Sequence, residues 1–146
     1  FYDSLRISDL IRENKQNIID IGSGSGLPGI PVSLFYNGEN SIFLCENRRK
    51  RADFLEHCID ALKLKNTYVI PHKVEKATNQ KFDVVLARAV GRLNDLLSII
   101  MMNGIEHHFV LVPGDICKCL KELEFWTGMK NLNSAAGCAL FSGDFF

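Results

Sequence analysis

Asp20-Ile21-Gly22-Ser23-Gly24-Ser25-Gly26-Leu27-Pro28-Gly29 is the stretch that decides how this chain reads. An apolar run from Asn17 to Ile21 leads into it, and Ile30-Pro31-Val32-Ser33-Leu34 behind it can open a helix. Strand, glycine turn and helix N-terminus in that order make a ligand cradle. Glycines reach positive φ without a Cβ penalty and let a bound group approach the backbone. The helix end offers unpaired N–H groups and a partial positive charge. Asp20, at the carboxyl end of the strand, is expected to point toward the same crevice.

Spacing separates two cofactor classes. A dinucleotide fingerprint places a third small residue where the helix packs on the strand. Counted from Gly22, that place falls on Leu27, so a dinucleotide-binding oxidoreductase is disfavoured. The pattern D-x-G-x-G-x-G resembles instead the first motif of class I S-adenosylmethionine (SAM) methyltransferases. SAM has no pyrophosphate to hold, so such a loop need only wrap the methionine end and one edge of the adenosine. A glycine-rich turn that holds no ligand is the plain alternative.

Composition bounds the rest. At 146 residues and 47% hydrophobic content the chain fits one compact domain, residues 1–146, with a real core. The formal net charge is zero, so contact with nucleic acid has to rest on a local patch. Five cysteines, odd in number and scattered, suit a reducing compartment more than a disulfide framework. No apolar run approaches membrane-spanning length and the start is no signal peptide, so a cytoplasmic protein without membrane contact is expected. The abrupt Phe1-Tyr2-Asp3 opening suggests a start inside a larger protein.

Outward from the glycine stretch, Phe1 to Asn14 can form a short helix, and Ile30 to Tyr36 another, with Pro28 and Pro31 tolerable only near its first turn. Ser41 to Cys45 reads as the second strand, with Glu46 at its carboxyl end. In a doubly wound sheet an acidic residue about 20 positions beyond the glycines faces the ribose hydroxyls. Arg48-Arg49-Lys50-Arg51 then opens a helix whose apolar face is Phe54, Leu55, Cys58, Ile59 and Leu62. Cations in a first helical turn oppose the helix dipole. That placement favours an external phosphate over the plain alternative of a solvated charge run, and Arg51 could instead turn inward to an acidic neighbour.

Further strands are expected at Asn66 to Ile70, Phe82 to Leu86, Phe109 to Val112 and Cys138 to Ser142, the last in an antiparallel hairpin. Helices are expected around Leu93 to Ile100 and Cys117 to Trp126. Arg88 leaves the fourth strand on the ligand side. Metal signals are weak: Cys117-Lys118-Cys119 lacks the separation of zinc knuckles, and His107-His108 sits before a strand.

Several runs together resemble the RsmG (GidB) family, guanine-N7 methyltransferases of small-subunit (16S) ribosomal RNA. They are Asp3-Ser4-Leu5, Asp20 through Pro31, Lys50-Arg51-Ala52-Asp53-Phe54-Leu55, Val74-Glu75, and Arg88-Ala89-Val90 with Leu93. The glycine loop alone says only SAM enzyme, whereas its extension by Leu-Pro-Gly-Ile-Pro and the later Arg-Ala-Val are more specific. The resemblance runs from Phe1 to about Val112. It implies a Rossmann-like α/β class I methyltransferase fold, mostly a parallel seven-stranded sheet with a C-terminal antiparallel hairpin. It implies SAM as cofactor, held by Asp20, Gly22, Gly24, Gly26 and Leu27, with Glu46 on the ribose, Val74 and Glu75 on the adenine side, and Arg88 beside the ligand. The partner implied is 16S ribosomal RNA or the small subunit, and a monomer is expected to meet it through Arg48, Arg49 and Lys50, which the position of the basic turn beside Glu46 puts at the same mouth. The family also has an N-terminal helical segment, expected from the abrupt opening to fall outside this sequence, and a Lys-Gly after the fifth strand where Pro113-Gly114 stands here. The alternative outside enzymes is an RNA-binding module with a SAM-type fold and no transfer.

Overall fold

The structure is a computed structural model that describes residue 11 and residues 15–74, 80–88, 108–112, 133–135 and 138–142. For Arg88 and the last three of these segments the backbone alone is described. Among the described residues seven strands form one sheet: β1 (Asn17–Ile21), β2 (Ser41–Cys45), β3 (Thr67–Ile70), β4 (Val84–Arg88), β5 (His108–Val112), β6 (Asn133–Ala135) and β7 (Cys138–Ser142). Their order is β3-β2-β1-β4-β5-β7-β6. The first five strands run parallel, while β7 lies antiparallel to both β5 and β6. This is the expected Rossmann-like α/β fold with its C-terminal antiparallel hairpin.

Parallel strands are covered on both faces, so they read as near-continuous apolar runs. Ile18, Ile19, Ile42, Leu44, Val85 and Leu86 are closed to solvent in the central three strands. Two described helices, α1 (Gly29–Tyr36) and α2 (Arg49–Leu62), connect β1 to β2 and β2 to β3. Ile30, Val32 and Tyr36 of α1 and Leu55 of α2 join Ile18, Ile42, Leu44, Val84 and Leu86 in one core. On β2, Phe43 alternates away from these residues and meets Tyr68 and Phe82 at ring separations of 5.3 and 5.4 Å. A buried hydroxyl relay ties α1 to the edge strand. The Ser33 hydroxyl donates to Thr67 Oγ1 at 2.5 Å, and Thr67 donates onward to the Lys65 carbonyl at 3.0 Å.

Three expectations shift. The fourth strand begins two residues late and includes Arg88, because Phe82 is buried against Phe43 and Asp83 is engaged with Asn17. The Asp83 carboxylate accepts the Asn17 N–H at 2.7 Å, and its own N–H donates to the Asn17 carbonyl at 2.8 Å. The third strand starts at Thr67, since Asn66 has φ of 49° and turns the chain. On α2, Ala52 and Leu55 carry the burial, whereas Phe54 and Leu62 are 50% and 49% exposed. The helices expected in residues 1–14, 93–100 and 117–126, together with Pro113 and the Cys117–Cys119 pair, lie outside the described residues.

Ile21, Cys45, Ile70 and Ala87 stand level across the sheet, since Ile21 is registered with both Cys45 and Ala87, and Cys45 with Ile70. The segments that follow them therefore gather at one carboxyl edge. The chain passes from β1 to β2 on one side, while β4 lies on the other. That reversal opens a crevice beside β1, where ligands of doubly wound sheets bind.

Candidate functional site

The glycine loop sits at that crevice and is held by main-chain bonds to the neighbouring strand. Gly22 and Ser23 donate their N–H groups to the Cys45 carbonyl at 2.9 and 3.1 Å. Gly22, Gly24 and Gly26 all have positive φ, at 71°, 56° and 89°, as the loop must double back before α1. The Leu27–Pro28 bond is cis. The Ser23 hydroxyl closes the turn onto the Asp20 carbonyl at 2.9 Å, and Gly26 N–H donates to the Ser23 carbonyl at 2.7 Å.

Two carboxylates organise the site. Glu46 is 5% exposed, and each of its oxygens takes one backbone donor. Oε2 accepts from Gly24 N–H at 3.1 Å, and Oε1 accepts from Arg48 N–H at 2.9 Å. Arg51 pairs with this carboxylate while its side chain stays 53% exposed, Nη1 lying 3.9 Å from Glu46 Oε2. The Glu46 carboxylate thus spans from the glycine loop to the start of α2. Each oxygen retains acceptor capacity, since an ionised carboxylate offers about four lone-pair sites.

Asp20 lies deeper. Its Oδ2 accepts the Gly29 N–H at 3.0 Å, which makes it a remote cap for α1, whose N-cap Pro28 supplies no side-chain bond. Its Oδ1 is buried and meets no donor among the described residues. Burial pushes the Asp20 carboxyl up to about 7, with the Gly29 N–H and the Ser23 hydroxyl holding it back. Desolvation disfavours the charged form, and the Gly29 hydrogen bond, with the Ser23 hydroxyl close by on the Asp20 carbonyl, only partly offsets it.

Close packing around the loop comes from residues that spacing alone did not single out. A Cβ on Gly29 would lie 2.3 Å from Leu44 Cδ2 and 2.7 Å from Asp20 Oδ2. One on Gly26 would lie 2.3 Å from Ile30 Cδ1. Gly29 thus does the helix-on-strand packing that a dinucleotide fingerprint assigns to its third small residue, two positions later than the one counted to Leu27. Gly24 differs, since a Cβ there meets nothing nearer than 3.7 Å. The loop is open at Gly24 and tight at Gly26 and Gly29.

The remaining predicted residues fall into place unevenly. Val74 is buried in the segment after β3, and that segment is tied to β2 because the Cys45 thiol donates to the His72 carbonyl at 3.2 Å. The Arg88 backbone ends β4 at the same carboxyl edge. Glu75 lies outside the described residues. Leu27 is half-buried in the loop, while Arg48, Arg49 and Lys50 are all exposed at the start of α2, whose first turn has no acidic residue. Among the described residues no group of three or more His, Cys, Asp or Glu could hold a metal ion, and no helix is long and apolar enough to cross a membrane.

Residues 1–115 match the family described as rRNA small subunit methyltransferase G. The ribosomal RNA small subunit methyltransferase G of Fusobacterium nucleatum is 37% identical over 100 residues, covering 66% of this chain and 43% of that protein. The protein of the same name from Oenococcus oeni is 36% identical over 125 residues, covering 80% of this chain and 48% of that one. The chain therefore spans under half the length of either relative. Among solved structures, a SAM-dependent O-methyltransferase from Thermotoga maritima has a TM-score of 0.72 at 14% identity, covering 95% of this chain and 63% of that one. An rRNA methylase from Streptococcus thermophilus has a TM-score of 0.64 at 13% identity, covering 94% and 91%. These two share the fold.

Proposed function

The chain belongs to the rRNA small subunit methyltransferase G family, and on that premise we propose that it transfers a methyl group from SAM to N7 of a guanine in 16S ribosomal RNA. At the site, the observation that carries this reading is Glu46, held by Gly24 and Arg48 N–H groups at the crevice mouth. A fixed carboxylate with spare acceptor sites suits a ribose diol. The cofactor fits the residues present. Gly24 leaves its backbone approachable, and Asp20 Oδ1 is a buried acceptor without a donor, which suits the ammonium of a methionyl group.

In this reading Gly22, Gly24, Gly26 and Leu27 form the wall of the methionine pocket, and Asp20 keeps that wall in shape through Gly29. Glu46 takes the ribose hydroxyls, Val74 and Glu75 border the adenine, and Arg88 stands beside the ligand. Bound SAM supplies a methyl group on a sulfonium, already electrophilic. Guanine N7 has a lone pair and no proton at neutral pH, so no side chain has to act as a base. What the chain contributes is alignment of the two reactants and a water-poor, charge-matched pocket. Arg48, Arg49 and Lys50 attract the phosphates next to the target, and a monomer working in the cytoplasm on the small subunit completes the proposal.

Calorimetry with SAM and S-adenosylhomocysteine tests the cofactor, and binding of NADH in their place would overturn it. Gly24→Val, which asks a β-branched residue to hold φ of 56°, should abolish SAM binding. Transfer of radiolabelled methyl groups to small subunits, followed by mapping of the labelled nucleotide, tests the substrate. RNA binding without any transfer would favour the non-catalytic module instead.

A further inference from the structure

We infer that Phe54, on the exposed flank of α2, is a stacking platform for an unpaired RNA base next to the target nucleotide. This rests on the ribosomal RNA reading above and extends it to a residue with no part in cofactor binding.

Phe54 is 50% exposed although its neighbour Leu55 is closed to solvent. Single exposed apolar residues are common and need no explanation by themselves. What distinguishes this one is its company. On a helix, the residues three and four positions away are the ones that share a face. For Phe54 these are Lys50 and Arg51 on one side and His57 and Cys58 on the other, and none is acidic. The acidic residues of the helix, Asp53, Glu56 and Asp60, are instead three and four apart from one another and form their own exposed face. Around α2 the carboxylates thus lie off the face of the aromatic ring, while two of the four cations that open the helix, Lys50 and Arg51, share it.

Position gives the ring its meaning. Arg51 reaches the crevice mouth, 3.9 Å from Glu46 Oε2 and close to Gly24. Phe54 stands three residues further, so its Cα is about 4.5 Å along the helix axis from that of the mouth-lining arginine. Ribosomal RNA bases are read where they are unpaired, and proteins hold such bases by stacking them on aromatic rings beside a basic groove. An apolar ring flanked by cations next to a methyl-transfer crevice matches a base flanked by phosphates.

The test uses the whole protein with SAM bound and compares Phe54→Ala, Phe54→Leu and Phe54→Tyr. Loss of one stacked base should raise KM for small subunits roughly 5- to 150-fold in the alanine variant, with kcat and SAM affinity unchanged. Tyrosine should restore KM and leucine should not, because leucine fills space without offering a π-face. Restoration by leucine, or equal KM in all four proteins, would overturn the proposal. Should the alanine variant fail to fold, the leucine–tyrosine comparison decides alone. Filter binding of a single-stranded ribosomal RNA oligonucleotide separates this from the parent reading. If the wild type transfers no methyl group, the function falls, yet oligonucleotide binding kept by tyrosine and abolished by leucine still supports the platform. Variants that lose activity on intact subunits but bind the oligonucleotide like wild type would indicate a protein contact and overturn it.

Discussion

Asp20 is the residue whose chemistry is most displaced by its surroundings. Its carboxyl is pushed up to about 7 by burial, whereas in the unfolded chain it titrates near 4. Between those values the folded state keeps a proton that the unfolded state has released. Stability therefore falls as pH rises from about 4 to about 7 and is flat above, with a slope approaching 1.4 kcal/mol per pH unit for this one group. Asp20→Asn should remove that slope, which denaturant unfolding of both proteins at pH 5, 6 and 7 will show. Gly29→Ala belongs to the same corner. The added methyl group would meet Leu44 and the Asp20 carboxylate, and overpacking of this kind costs about 1–3 kcal/mol, read as a lower unfolding midpoint. Glu46→Gln replaces an acceptor by an NH₂ that must face either the Gly24 or the Arg48 N–H. SAM affinity should fall in that variant by about tenfold or more, since a donor left against a donor costs about 1–3 kcal/mol.

The first turn of α2 carries a conflict that a helix shaped only for stability would avoid. Arg48, Arg49 and Lys50 stand at the positive end of the helix dipole with no acidic residue in the turn. Each such charge costs a few tenths of a kcal/mol to about 1 kcal/mol. Replacing all three by alanine should raise the unfolding free energy by about 1 kcal/mol or more while leaving SAM binding intact and weakening RNA methylation. The salt dependence of RNA binding should also flatten, by about 0.7 in log–log slope for each single-strand phosphate that the variant no longer neutralises. Methylation and stability moving in opposite directions would be hard to reconcile with a solvated charge run. The same helix marks a boundary of what residue order reveals. The helix and its cationic start follow from that order, and the pairing of Arg51 with Glu46 is one of the two arrangements it allows. The exposure of Phe54 does not follow, because helical periodicity cannot tell a core position from the flank beside it.

Across the whole molecule, legibility follows burial. Asn17–Ile21 and Ser41–Cys45 have the bounds expected from sequence because central parallel strands are apolar on both faces. β4 starts two residues beyond its expected place because Phe82 is apolar for a different reason, its packing on Phe43 across the sheet. The role of Gly29 is hidden for a similar cause: its close neighbours, Leu44 and Asp20, come from two strands brought together by the fold. Positions that depend on one element can be read locally, and those that depend on three cannot. A cofactor bound as proposed, bridging the ends of β1 and β2, would act at this same scale. SAM at 100 times its dissociation constant should add about 2.7 kcal/mol to the unfolding free energy, a rise in midpoint of several degrees by calorimetry.

The Glu46 carboxylate grips Gly24 with one oxygen and the start of α2 with the other. A ligand that draws on one oxygen would perturb the donor on the other, which would couple the two halves of the crevice. Heterotropic coupling between SAM and RNA is the expected result, and it has to be reciprocal: whatever factor RNA applies to SAM affinity, SAM applies to RNA affinity. Binding isotherms of each ligand, with and without saturating amounts of the other, should give the same factor. In Glu46→Gln that factor should shrink toward one, because the bracket joining the two halves is broken.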